Sequence, residues 1–553
     1  MVVIVEKGSC MIKHTSMKYL LILLGFSSFA QAVPYYPVRS QSQDSARELV
    51  GLAREIHLYR PDACDIYKVF DVAFEYSRTF NSKEIAQCLF GQACLTDCEC
   101  PTIKISGPDV ENREEKDWDA SYFGLPDDFQ STITFRPRIE NYLVDFYWYF
   151  GFDQWCKKGV YLKIHAPVVH TKWKLNYCET ITNPGSMFDG KKGTARAVQS
   201  FSDWVSEEQV ANGDKEEVFK PLGCSRWASP CDRLHETRLS DIQLAFGWDF
   251  LQSCDHYLGL SVRAAIPTGN RPKCDFLFEP IVGNGHHWEL GAGLNAYRRV
   301  WQDCDNGREV GFYLEAQVTH LFKDRQCRVF DLKQGCNTRY ICAVRDWSQT
   351  LDSTNIIVKS PVANLTKIPV DVSINYQADV TAMFSYLSCC YTWDFGYNFW
   401  ARGCEKISLD DSVNCDDCPC RLPFSDERRW LVCTDTNLFK SENSSPETVP
   451  LTLDLIDFCA ARTKSMSHKL FGFVSYKWCE DECGKHYFAG VGGFVEWGQN
   501  DGCDPCCDPT LVSTTTSCST DCDDVCNPCD SNDCVQCTPS RWGLWFKAGV
   551  AYN

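Results

Sequence analysis

Three properties of the chain predict an all-β fold, a transmembrane antiparallel β-barrel of about twelve strands. Segments with period-two hydrophobicity recur along most of its 553 residues. The gaps between them alternate between turns of roughly four to seven residues and polar, cysteine-rich stretches of roughly 20 to 60. A water-soluble sandwich has no reason to sort its loops in this way. The third property is an N-terminus built like an export signal.

Residues 1–32 are read as a signal peptide with its natural start at Met17. Lys18 precedes the apolar run Tyr19–Phe26, and Ala30-Gln31-Ala32 has the A-x-A form of a cleavage site. The run is too short to span a bilayer, and no later run is long enough. Residues 33–64 form an N-terminal segment expected on the periplasmic side. Within it, Asp44–Leu58 carries Leu49, Val50, Ala53 and Ile56 at helical spacing, which predicts a short amphipathic helix. The same spacing also allows this helix to plug the lumen. Residues 65–553 are assigned to the barrel.

The first strand is expected over Tyr67–Phe80, with Phe70, Val72, Phe74 and Tyr76 opposite Asp71, Ala73, Glu75 and Ser77. Leu258, Leu260, Val262, Ala264 and Ile266 alternate with Gly259, Ser261, Arg263 and Ala265. Trp288, Leu290, Ala292 and Leu294 alternate with Glu289, Gly291, Gly293 and Asn295. Val372, Ile374, Tyr376, Ala378 and Val380 alternate with Ser373, Asn375, Gln377 and Asp379. Trp542, Leu544, Phe546, Ala548, Val550 and Tyr552 stand against Gly543, Lys547 and Gly549. Apolar residues are expected to face lipid and the polar set to face inward, as in a membrane barrel. Trp148, Trp173, Trp248, Trp301, Trp393, Trp478, Trp497 and Trp542 near strand ends predict aromatic girdles.

The long stretches Asn81–Gln130, Glu179–Arg238, Gly269–Gly285, Lys323–Pro369, Glu405–Ser467 and Asn500–Ser540 are predicted external loops. The second and fifth are long enough to fold into the barrel mouth. The chain has 35 cysteines, and removing Cys10 with the leader leaves an even set. That density points to an oxidising compartment. Cys415, Cys418 and Cys420, and the series from Cys503 to Cys537, contain C-x-x-C pairs. They are read as disulfides rather than zinc ligands, because nearly every loop carries cysteine. Each predicted turn also carries cysteine: Cys156, Cys254, Cys304, Cys389 with Cys390, and Cys479 with Cys483. A disulfide inside a turn whose ends are already paired adds little, so these thiols are candidates for crosslinks to other envelope proteins. Internal pairing, with Cys64, Cys88 or each other, is the alternative.

This organisation resembles the cysteine-rich major outer-membrane porins of chlamydia-type intracellular bacteria. The segments that would carry the likeness are Glu75–Arg78, Gly159–His165 and Phe278–Trp288. The resemblance implies a barrel porin with disulfide-rich loops and an envelope reinforced by crosslinks.

The inward faces supply the candidate pore-lining residues Asp71, Glu75, Asp145, Lys163, Asp249, Arg263, Glu289, Glu315, Asp379 and Lys547, with Asp371, Glu496 and Arg402 on the same faces. Charged rings on a wet wall select ions by sign. No catalytic constellation is identifiable among the scattered histidines His165, His170, His235, His256, His286, His287 and His320. No metal site and no cofactor are expected. A net charge of −18 argues against nucleic acid as a partner. The expected function is passive diffusion of small hydrophilic solutes or ions across the bacterial outer membrane, its lipid being one partner. A homo-oligomer is compatible with this reading. The rivals are a structural envelope protein or adhesin anchored by a barrel, and a barrel lipase or protease.

Overall fold

The computed structural model describes residues 35–552 except 54, 57–65, 92–100, 115, 154–157, 187–197, 207–216, 220–221, 223–225, 228–233, 334–336, 346–356, 410–429, 434–447, 460, 479–484 and 501–533. The predicted leader, Cys64 and the cysteines 415–420 and 503–529 lie outside the described residues.

Twelve antiparallel strands close into one barrel. They are β1 Tyr67–Thr79, β2 Arg138–Gly151, β3 Val160–Lys174, β4 Ile242–Gln252, β5 His256–Ile266 and β6 Glu289–Asp303, followed by β7 Arg308–Arg328, β8 Ile368–Ser388, β9 Tyr391–Arg402, β10 Thr463–Lys477, β11 His486–Gly498 and β12 Arg541–Tyr552. Each strand pairs with its sequence neighbours, and β12 closes on β1 from Lys68↔Tyr552 to Thr79↔Arg541. Closure leaves no unpaired edge. Short connections gather at one end, down to the two-residue turn Cys389-Cys390, where Cys389 takes φ +56°. Long connections gather at the other.

Burial settles which face is which. Along β1 the odd-numbered residues, Asp71 and Glu75 among them, are buried, and Phe74 is 49% exposed. Leu260, Val262, Leu290, Phe384, Phe395, Val491 and Leu544 are likewise exposed around the wall. A continuous apolar belt of this kind is stable against lipid and not against water. Trp248, Trp301, Trp393 and Trp478 are exposed near the turn end, and Trp288 and Trp497 near the loop end. Trp173 departs from the expected girdle. It is buried in the loop domain against Tyr36 and Phe278.

Described parts of the long connections fold together into a cap with its own core. One sheet joins Trp118–Asp119, Thr102–Ser106, Gln130–Thr134 and Cys178–Asn183. Another joins Thr448–Pro450, Trp430–Cys433, Cys342–Arg345, Ile357–Pro361 and Glu217–Phe219. Trp118, Phe201, Trp204, Trp227 and Tyr340 pack between them. Disulfides Cys88–Cys537 and Cys404–Cys534 tie three of the connections together. The Cys534-x-x-Cys537 pair is thus divided between two disulfide partners. Strands β7 and β8 run on into the cap, where Val372 and Ile374 are buried although the alternation placed them with the lipid-facing Tyr376.

Candidate functional site

A barrel of about eight strands is filled by its own side chains; twelve leave room for more. Here the N-terminal segment takes that room. Tyr36 is anchored in the cap core, and Arg328 stacks over Tyr35 at 3.4 Å. The helix α1, Ser45–Leu49, follows inside the barrel, capped by Asp44, whose side chain accepts from Arg47 N. Ala46, Leu49, Val50 and Ala53 pack on inward aromatics that include Tyr297, Tyr313, Phe471 and Trp545. Leu52 then reaches Tyr67, Tyr149 and Tyr161 near the turn end. The segment therefore traverses the barrel from loop end to turn end. The expected periplasmic placement of the helix is corrected: it lies in the lumen, in the other placement that the spacing allowed.

Its polar residues are met by the wall. Arg39 pairs with Asp379 at 2.9 Å and Glu496 at 3.2 Å. Asp44 accepts from Lys469 at 2.6 Å. Arg47 pairs with Glu75 at 2.8 Å and Asp145 at 3.0 Å. Glu48 meets Arg263 at 3.1 Å and His165 at 3.3 Å. Lys547 donates to the backbone carbonyls of Arg47 and Glu48, both at 3.1 Å. At the loop-end rim, Ser40 donates to Asp241 at 2.6 Å. There burial, then Glu289, pushes Asp241 up to about 7 against hydrogen bonds from Ser40, Asn284 and Ser42.

All ten candidate pore-lining residues are turned inward. Glu75, Asp145, Arg263, Asp379 and Lys547 touch the N-terminal segment as above. Lys163 and Arg263 share Glu315, and Asp249 accepts from Asn295. Glu289 accepts from Asn284 and Thr319, and Asp71 lies 3.6 Å from Lys547. Glu496 also pairs with Arg541. Asp371 pairs with Lys323, and Arg402 lies 3.7 Å from Glu405. Among the described residues, the N-terminal segment thus occupies the part of the lumen that these charges line. Beside the segment, toward the turn end, lies a cavity of about 40 Å³ lined by Leu52, Tyr149, Tyr161 and Asn295, room for roughly two or three waters.

The sequence reading missed Lys469 and the segment's own Arg39, Asp44, Arg47 and Glu48. Lys469 was legible in principle, since it alternates with Leu470 on β10 and falls on the inward parity of Ser465 and Ser467. Of the turn cysteines, Cys254, Cys304 and Cys389 carry exposed thiols, and the Cys389 and Cys390 sulfurs stand 3.7 Å apart, unbonded. Cys156, Cys479 and Cys483 lie outside the described residues. Among the described residues no group of three or more histidine, cysteine or acidic side chains is placed to hold a metal.

No family model matches the chain, and no curated protein matches it, so the chlamydia-type resemblance gains no support from either. Among solved structures it is similar to an outer membrane channel from Pseudomonas putida F1, at 8% identity and a TM-score of 0.31, covering 89% of this chain and 97% of that one. A FadL homologue from Pseudomonas aeruginosa aligns at 6% identity and a TM-score of 0.25, covering 90% and 92%. The transport unit of the autotransporter AIDA-I from Escherichia coli aligns at 7% and 0.20, covering 88% and 90%. The barrel assignment rests on the strand pairing itself.

Proposed function

We propose that this chain is a gated channel of the bacterial outer membrane, held closed by its own N-terminal segment. The observation that carries the reading is the line of ion pairs from Arg39 to Glu48, which binds a separable segment rather than a wall element. A static seal gains more from apolar packing than from buried charge pairs. Charge pairs suit a closure that opens, because each partner regains water or a solute when the segment leaves. The vacated wall would expose Asp71, Glu75, Asp145, Glu315, Asp379 and Glu496 against Lys163, Arg263, Lys469 and Lys547. That excess of acids favours small polar cations over anions. No reaction and no cofactor belong to this reading.

Planar-bilayer recording tests it. The full chain should be largely silent, and replacing Arg39, Arg47 and Glu48 together with Ala should produce long, cation-preferring openings. A folded variant as silent as the unmodified protein would refute the gate. An anion preference would refute the charge assignment.

One observation favours a structural envelope role beside the channel. Exposed thiols of Cys254, Cys304 and Cys389 lie at the turn end, outside the disulfide-tied cap. Non-reducing gels of whole envelopes should then show high-mass ladders that collapse on reduction and shrink in Cys389→Ser with Cys390→Ser. A single monomer band without reductant removes this role.

A further inference from the structure

The Arg47-Glu48 pair occupies a wall that reads charge, spacing and backbone together. On one side Glu75 and Asp145 clasp the guanidinium, and Trp545 Nε1 fixes Glu75 from behind at 3.0 Å. On the other side Arg263 and His165 take the carboxylate, with Arg263 steadied by Glu315 at 3.1 Å. Between them Lys547 holds two consecutive peptide carbonyls. Every one of these wall groups is buried. None of the contacts depends on the segment being joined to β1. A free peptide with the same side chains would meet the same partners.

We propose that the niche now filled by Arg47 and Glu48 is a binding site for a dipolar peptide, one carrying a guanidinium and a carboxylate on adjacent residues. The N-terminal segment is then an internal competitor for this ligand, and the ligand displaces it by offering equivalent charges. A neutral solute leaves the wall charges unpaired and binds poorly. The proposal names a solute class for the gated channel and rests on that reading for passage, though not for binding.

The test uses the full chain carrying Arg47→Ala and Glu48→Ala, folded in detergent and checked by heat-modifiable gel migration. Calorimetric titration compares two free pentapeptides, Ser-Ala-Arg-Glu-Leu and its Gln-Gln counterpart. Saturable binding of the Arg-Glu peptide is expected, at least about tenfold tighter than the Gln-Gln peptide, since two charge-assisted contacts are at stake. Adding Glu75→Gln should abolish most of that preference. Equal affinities, or no saturable binding by the folded variant, overturn the proposal. If the double variant does not assemble, Arg47→Gln alone must show the same order of affinities, and failure to do so is equally decisive. Peptide flux into liposomes separates the two readings. Selective binding without flux keeps the site and sinks the channel; equal flux of both peptides without selective binding sinks the site and keeps the channel.

Discussion

The barrel and the cap bury opposite things. Inside the barrel lie Arg39, Arg47, Glu75, Asp379 and Lys469, each paired; inside the cap lie Trp118, Phe201 and Trp227, packed ring against ring, with buried Trp204 donating to the Tyr340 carbonyl. The difference follows from what surrounds each. Lipid already accepts the apolar face of the wall, so turning that face inward gains nothing, and the polar face must find partners within. The cap stands in water and buries its apolar residues in the ordinary way. The rule changes within one strand. On β8 Tyr376 is 54% exposed, whereas Ile374, two residues earlier and of the same parity, is fully buried.

The sharpest contrast comes from removing one residue of each interior. Trp227→Ala should cost the cap about 3–5 kcal/mol through the cavity it leaves. Proteolysis of the cap should accelerate while the barrel keeps its heat-resistant gel mobility. Loss of both together would mean the two interiors are one cooperative unit. Arg39→Ala should cost about 3–5 kcal/mol by taking the guanidinium from buried Asp379, while Glu496 keeps Arg541. Urea denaturation reads it, and Arg39→Met should fare no better, since methionine also leaves Asp379 without that guanidinium.

The outer face gives the next effect. Leu260→Arg should lower assembly into vesicles by about 2–4 kcal/mol, whereas Ser261→Thr on the other parity should be nearly neutral. Equal losses would contradict the assignment of faces. Of the glycines on that inward parity, Gly293 is a poor control, because an added Cβ would come within 2.5 Å of Ser261 Oγ.

The smallest effect is a pH slope at the rim. Asp241 has its pKa raised to about 7, so its contribution is fully present below the ordinary carboxylate range and is lost as pH rises to about 7. Asp241→Asn should therefore flatten the melting curve between about pH 4 and 7 and leave the acid limb unchanged. An unchanged slope in that variant would remove Asp241 from the account.

The wall was legible because alternation and loop asymmetry are local properties. Leu260 and Arg263 announce their faces within a handful of residues. The lumen's contents were not, because Arg39 meets Asp379 across 340 positions, and no local pattern records that meeting. Leu49, Val50, Ala53 and Ile56 showed a helix with an apolar side, yet a periplasmic partner and an inner aromatic wall would both satisfy it. The cap sheets escaped because their strands are two to six residues long, too short for a period to establish itself. Cysteine pairing escaped for the same reason as the plug: Cys88 and Cys537 are 449 residues apart.

The path of the N-terminal segment also imposes an order on assembly. It runs up the lumen from Leu52, which packs on Tyr67 of β1, and finishes with Tyr36 in the core of the cap. Arg39, Arg47 and Glu48 have their partners on wall strands far apart in sequence, and these pairs can form while the sheet is still open, before β1 zips to β12. The direct route lays the segment against the open sheet first, with the last seam sewn around it. The β1–β12 seam is then the final joint of the barrel, closing around a strap that the wall has already recognised and can still release.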